Sequence, residues 1–401
     1  MTCDLVGSPA VDKSESSCVD SEISSLAGYR YETEQDIVNR ASHIDVDMKK
    51  IEILIENGMN HFPSSQEVLF GTAFDLYKYG QRAGINFKGS LSSIARDTTK
   101  DVVPVFAAFR RYYNSDAYYA DTMIQNAFQK QGVFKDATVD QRKRFITFAL
   151  RYMVTFMAIL EKIYNAKLSC SLGRSSEGGI RDLDIAVGYY VGSLEGKEDG
   201  GSYDGSLIHM LAKRMCVHFG TCTSSGHAWV NERIISLFYA AQGEVVTGAC
   251  DSLDRTVKEI ESALIVPLIQ GVLFSARGNE LHYKGLPGQE FYPEGYALAQ
   301  SILPIIDDAD QSAATNIKNV MVASFPSQED DKNSNNSARV HRAMKQAILK
   351  MDIDCTKVGS FNGYGFCAGQ AEPDVLSSAS SASLSLMMTL VVTSFVLHSL
   401  S

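Results

Sequence analysis

Residues 144–166 read RFITFALRYMVTFMAILEKIYNA, a run that is apolar on nearly every side of a helical period. A helix can be apolar all round only where protein surrounds it, so this stretch predicts a central core helix and an all-α fold. Residues 255–277, RTVKEIESALIVPLIQGVLFSAR, predict its counterpart. Pro267 is expected to kink that helix, because proline has no amide proton to donate. The two runs start 111 residues apart, and a second pair repeats the offset: FDLYKYG ends at Gly80 and VGYYVG at Gly192, 112 apart. Tyr77 and Tyr189 then occupy equivalent places, and EGYALAQSILPII opens a third part at Glu294. The expected architecture is an internally duplicated helical bundle, two units of about 110 residues plus a shorter C-terminal part. No run of strand-like alternation bounded by hairpin turns stands out.

The expected organisation is a flexible serine-rich lead over residues 1–30, a first helical unit over 31–175 and a second over 176–288. A C-terminal helical part over 289–366, a spacer over 367–383 and an apolar tail over 384–401 follow. With 45% hydrophobic and 21% charged residues among 401, the composition is globular, and the chain is long enough for one large core or two medium ones. A net charge of −10 argues against nucleic acid and anionic lipid headgroups as ligands.

Eight cysteines carry more information: Cys3, Cys18, Cys170, Cys216, Cys222, Cys250, Cys355 and Cys367. None forms CxxC, and the spacings fit no paired zinc knuckle. Cys216 and Cys222 are close enough to clip a turn or to pair separately with Cys170 and Cys250. Cys355 and Cys367 bracket KVGSFNGYGF, a glycine-rich stretch with little means of ordering itself without a crosslink. An even count concentrated around loops points to disulfides and an oxidising compartment. Small residues, a spacer and the uncharged run LSLMMTLVVTSFVLHSL at 384–400 have the layout of a signal for a glycosylphosphatidylinositol anchor. Gly369 or a residue within Ser377–Ser381 would be the attachment point, and a short tail-anchor helix is the rival. The N-terminus shows no apolar secretory segment, which is at odds with this expectation unless the start is truncated or mis-assigned. Asn335-Asn336-Ser337 is a glycosylation sequon, usable only in a secreted chain.

There is no GxSxG elbow, P-loop, GxGxxG after a strand, or HExxH, so the chain is not expected to be an enzyme. His227 follows Ser225 in SSGHAW, which alone is no nucleophile–base pair. The positive feature is tyrosine and aspartate density. Residues 110–121 read RRYYNSDAYYAD, Asp75, Tyr77 and Tyr79 lie in FDLYKYG, and DLDIAVGYYVG carries Asp182, Asp184, Tyr189 and Tyr190. Phenolate and carboxylate oxygens are hard donors that suit hard cations such as ferric iron. Neighbouring arginines can hold an accompanying anion such as carbonate through forked hydrogen bonds. On one helix, Tyr112, Asp116 and Tyr119 would share a face at i, i+4 and i+7. Tyrosines near helix ends also simply pack their rings and hydrogen-bond their hydroxyls, and that reading competes with the metal.

Over roughly residues 60–360 the chain resembles the phytotransferrin family of algal iron-assimilation proteins, which includes iron-starvation-induced and high-carbon-dioxide-inducible periplasmic proteins. The resemblance is carried in order by AFDLYKYG, ARD at 95–97, YYNSDAYYAD at 112–121, AVGYYVGSLEG at 186–196 and LAKRMCVHFGTC at 211–222. VPLIQGVL at 266–273, EGYALAQSILPII at 294–306 and DCTKVGS at 354–360 continue it. Asp307 and Asp308 stand where the family often has a cysteine, a departure that puts one family disulfide in doubt. The resemblance implies a secreted cell-surface protein that binds ferric iron with carbonate for high-affinity uptake, served by a surface reductase or an endocytic partner. Within the matched motifs, Tyr113, Asp116, Tyr119 and Asp121 are the expected oxygen ligands of the first unit, and Asp184, Tyr189 and Tyr190 those of the second. Arg111 or Arg214 would hold the anion. The rival functions are a surface adhesin or cell-wall interaction protein without metal and, less favoured, a secreted hydrolase.

Overall fold

The computed structural model describes residues 44–60, 66–80, 90–96, 103–173, 176–194, 205–284, 291–323 and 336–370. The serine-rich lead, Cys3, Cys18, Asn335, the spacer beyond residue 370 and the apolar tail lie outside the described residues.

The expected all-α fold is what forms. The helices are α1 Ile44–Asn60, α2 Gln66–Tyr79, α3 Leu91–Ala95, α4 Phe106–Tyr112, α5 Tyr119–Gln129, α6 Val139–Phe148, α7 Thr155–Ser171 and α8 Ser176–Val191. They continue as α9 Ile208–Phe219, α10 Trp229–Thr247, α11 Cys250–Tyr283, α12 Tyr292–Ala309, α13 Gln311–Met321, α14 Asn336–Lys350 and α15 Cys355–Val358. The stretch predicted as one core helix is not uniform. Val139–Phe148 runs into a π turn, Ala149–Val154, before α7 resumes the α-helical ladder. The helix α6 starts at a capping box in which Thr138 and Gln141 satisfy each other's backbone amides. Pro267 lies inside the continuous helix α11.

One apolar cluster extends from Ile44 to Phe366, and α11 and α12 run through its middle. An apolar window of α11 passes the length and hydropathy test for a membrane span, yet 78% of it is buried against other helices, as a core helix requires. The boundary expected near residue 175 falls between α7 and α8, which pack together more extensively than any other pair of described helices. The expected units therefore share one core. Their duplication remains an expectation from sequence. The glycines that end α2 and α8, Gly80 and Gly192, are both left-handed. The long runs differ, one carrying a π turn and the other a proline.

Gly192 has a second reason to be glycine. A Cβ there would lie 2.3 Å from Asp45 Oδ2. Asp45 approaches closely because its carboxylate accepts the Ser193 and Leu194 amides at 2.7 and 2.8 Å and the Ser193 hydroxyl at 2.9 Å. That contact ties the start of α1 to the end of α8.

Three disulfides close the described cysteines: Cys170–Cys250, Cys216–Cys222 and Cys355–Cys367. Of the pairings left open by sequence, Cys216 and Cys222 clip their own turn and Cys170 joins the end of α7 to the start of α11. Inside the Cys355–Cys367 loop the structure adds a small hairpin, Ser360–Phe361 with Tyr364–Gly365. Its turn is Asn362-Gly363, both at positive φ, the Asn-Gly signal for a tight hairpin that strand-length alternation does not reveal.

Candidate functional site

The helical face expected for Tyr112, Asp116 and Tyr119 does not form, because the chain turns between them. Asn114 and Ser115 adopt φ of 53° and 69°, and α4 stops at Tyr112. The Ser115 amide donates to the Arg110 carbonyl at 2.7 Å and the Asp116 amide to the Tyr113 carbonyl at 3.0 Å. Asp116 Oδ1 then accepts the Tyr118 amide at 2.8 Å. Asn, Ser and Asp in succession offer the backbone local hydrogen bonds that compete with a helix. Asp116 is thus a half-buried turn residue.

The same turn folds the tyrosines together. Tyr113 stacks on Tyr119 with ring centroids 4.1 Å apart, and Tyr112 meets Tyr113 edge-on at 5.0 Å. Helix α12 supplies Tyr296 and Gln300 from the far end of the sequence. Tyr113 Oη donates to the Gln300 carbonyl at 2.7 Å, with Gln300 Oε1 at 2.9 Å as the alternative acceptor, and Gln300 Nε2 donates to Tyr296 Oη at 3.2 Å. Among the described residues, the buried hydroxyls of Tyr112 and Tyr119 have no hydrogen-bond partner. An unsatisfied buried hydroxyl costs about 1–3 kcal/mol, which a bound ligand would relieve. Burial pushes the phenols of Tyr113, Tyr119 and Tyr296 above the ordinary tyrosine range, and the neighbouring tyrosines push Tyr113 further. Tyr112 is raised by burial first and then by Asp307 and Tyr296. An ion binding here must therefore displace phenol protons.

Asp121 leaves this cluster and serves another. Its Oδ1 accepts Tyr77 Oη at 2.6 Å and Ser92 Oγ at 2.9 Å, and its Oδ2 accepts Gln125 Nε2 at 2.6 Å. The Arg96 guanidinium stands 3.5 Å from Oδ2. The carboxylate is buried and well supplied with donors, joining α2, α3 and α5. Arg111 forms an exposed ion pair with Asp308.

The second set of expected ligands lies on α8. Asp184, Tyr189 and Tyr190 are all buried. Tyr189 and Tyr190 come five and six residues after Asp184, which helical periodicity puts on different sides from it. Tyr190 Oη donates to Asn231 Oδ1, whose amide nitrogen donates to the His209 carbonyl at 3.0 Å. This set is distributed around a packed helix rather than gathered at one point.

Arg214, the other expected anion holder, donates from Nη2 to Tyr152 Oη at 2.9 Å. Tyr152 sits in the π turn beside Arg151, and Glu294 on α12 is an electrostatic neighbour of both Tyr152 and Arg214. The residues that sequence reasoning missed are Tyr152, Glu294, Tyr296 and Gln300, while Tyr112 entered only through the helical face that does not form. A signal was present: EGYALAQ holds Glu294, Tyr296 and Gln300 within a single motif, but was read only as a helix start. Among the described residues, no three His, Cys, Asp or Glu side chains gather as a metal site of those ligands would need, so a cation site here depends on phenols. No family model, no curated protein and no solved structure matches this chain.

Proposed function

We propose that this protein binds ferric iron, with carbonate as the accompanying anion, for high-affinity uptake at the outer face of a membrane. The observation that carries the reading is the convergence of Tyr112, Tyr113, Tyr119 and Tyr296, two of whose hydroxyls are buried without partners. Phenol oxygens suit a hard cation, and the ion's own charge drives the deprotonation that burial opposes. The phytotransferrin resemblance supports the same ligand. The three disulfides support an oxidising compartment, where such uptake takes place. Membrane attachment through a C-terminal lipid anchor rests on the tail sequence. Release of the protein from membranes by a phospholipase specific for phosphatidylinositol tests it against a tail helix, which the phospholipase would leave in place. A surface reductase or an endocytic receptor is the partner this function calls for.

Titrating the purified protein with ferric ion in bicarbonate should develop a tyrosinate-to-iron charge-transfer band. The band should weaken in Tyr113→Phe and Tyr119→Phe. A featureless visible spectrum with iron and bicarbonate in excess would remove the reading. The second reading, a surface adhesin or wall component without metal, is favoured by the packing of the same rings against Phe109, Phe134 and Phe145. Failure to retain iron in equilibrium dialysis, together with binding to glycans or cell walls, would establish it instead.

A further inference from the structure

Helices α13 and α14 pack against each other, and neither contains an aspartate or a glutamate. In a chain of net charge −10 this is a local segregation of charge that the total conceals. One side of α14 enters the core through Val340, Met344 and Ile348. The opposite side carries Arg339, Arg342, Gln346, Leu349 and Lys350, spaced i, i+3, i+7, i+10 and i+11, which is a single helical stripe. Leu349 is 55% exposed within it. Lys350 is matched by Asp310 at 2.8 Å, but the two arginines have no ion pair among the described residues. Arg339 reaches Asn336 Oδ1 at 3.5 Å, and the buried Arg342 Nε has no hydrogen-bond partner there. At the start of the helix Glu280 accepts the Ser337 amide at 2.9 Å, and Arg277 and Lys284 together outweigh its charge. Asp352 and Asp354 come after the helix has ended, and Asp354 turns back to cap α15.

The chain leaves the described fold alongside this helix. Lys345, buried on α14, donates from Nζ to the Gln370 carbonyl at 2.9 Å. Gln370 Oε1 accepts the Cys367 amide at 2.9 Å, and Cys367 is bonded to Cys355. Gln370 is thereby pinned to α14. Residues 371–383 separate it from the apolar run that begins at Leu384. At about 3.5 Å per residue they span at most about 45 Å, so a bilayer holding that run stands within this distance of Gln370. A tether of this kind makes a weak surface contact intramolecular, at a high effective concentration.

We propose that the Arg339–Arg342–Lys350 stripe of α14 is the membrane-facing surface of the protein and rests on anionic lipid headgroups. Guanidiniums hold headgroup phosphates through forked hydrogen bonds, and Leu349 adds apolar contact at the interface. The inference rests on the C-terminal attachment proposed above and is independent of iron.

Trp229 is the single tryptophan of the chain, and Lys357 Nζ on α15 lies 4.4 Å from its ring centre. Energy transfer from Trp229 to dansyl-labelled headgroups therefore reports how closely this end of the fold approaches a bilayer. The test places the full chain, with its own apolar tail, on vesicles of phosphatidylcholine alone or mixed with phosphatidylglycerol. Transfer should rise on the anionic vesicles, and the rise should vanish in about 0.5 M salt, where charges are screened within a few ångströms. Arg339→Glu/Arg342→Glu should abolish the rise, whereas Arg255→Glu, near the far end of α11, should keep it. Arg339→Glu alone, at an exposed position, should cut the equilibrium constant for the close state at least about fivefold, and serves if the double variant does not fold. Equal transfer on both vesicles, or a rise that survives the reversals, would overturn the proposal. So would a rise seen only after Glu329→Gln/Asp330→Asn/Asp331→Asn, since the stripe would then be occupied by the chain's own acidic segment. A full chain that does not float with phosphatidylcholine vesicles would overturn the attachment reading instead. Salt-sensitive flotation with the anionic vesicles, lost in the double variant, would then still support the stripe. Flotation with neither vesicle would remove both.

Discussion

Asp121 and Asp45 show how differently two buried carboxylates can act. Asp121 accepts from Tyr77, Ser92 and Gln125, so truncating it leaves three donors without their acceptor. Asp121→Ala is expected to lose about 3–5 kcal/mol of stability in urea denaturation. Tyr77→Phe should cost about 1 kcal/mol, since Ser92 still serves the same oxygen. Arg96 is half exposed, so its ion pair adds little. A larger loss for Tyr77→Phe than for Asp121→Ala would contradict this account. Asp45 is held by three donors, yet burial outweighs them and lifts its carboxyl to about 6. Because the folded state then binds the proton more tightly than the unfolded chain, this group adds stability as pH falls from about 7 towards 4. The gain disappears as pH rises through about 6. The effect is on the order of 2 kcal/mol, and Asp45→Asn should flatten it in urea midpoints taken at pH values on either side of that window. A pH profile unchanged by the substitution would show that another group is responsible.

At the scale of elements, the disulfides divide by the loops they close. Cys170–Cys250 spans 80 residues and ties the end of α7 to the start of α11, whereas Cys216–Cys222 spans six. Chain entropy alone gives about 4.5 kcal/mol for the first and about 2 kcal/mol for the second. Replacing Cys170 and Cys250 together by serine should therefore lower the denaturation midpoint more than replacing Cys216 and Cys222. The reverse order would place the second pair's contribution in the folded state, where it helps fix the turn after α9. The π turn belongs to this scale too. Nothing in RFITFALRYMVTF departs from helical composition, because a π turn alters the hydrogen-bond ladder without needing a proline or glycine to mark it.

For the whole molecule, the proposed ferric binding should weaken with acidity. The phenols of the cluster are raised above their ordinary range, so each one that becomes a ligand releases a proton on binding. Each such phenol weakens apparent affinity by about tenfold per pH unit below neutrality. Competition dialysis across that range measures the slope, and a pH-independent affinity would exclude phenolate ligands.

What the sequence determined by itself is the helical class, the buried runs at 144–166 and 255–277, and the glycine ends of α2 and α8. It also determined that Cys355–Cys367 would bracket the glycine-rich loop. These follow from period, burial and backbone freedom, all of which are local. It misplaced the Tyr112–Tyr119 face, because an Asn-Ser-Asp turn competes with the helix over a few residues and a helical wheel cannot weigh that competition. Only the tertiary structure decided which oxygens meet. Tyr113 reaches Gln300, Tyr77 reaches Asp121 and Arg214 reaches Tyr152, each across a separation that local pattern does not encode. Those meetings are fixed by how α12, α2 and α9 pack on the core, and packing is a property of the assembled chain.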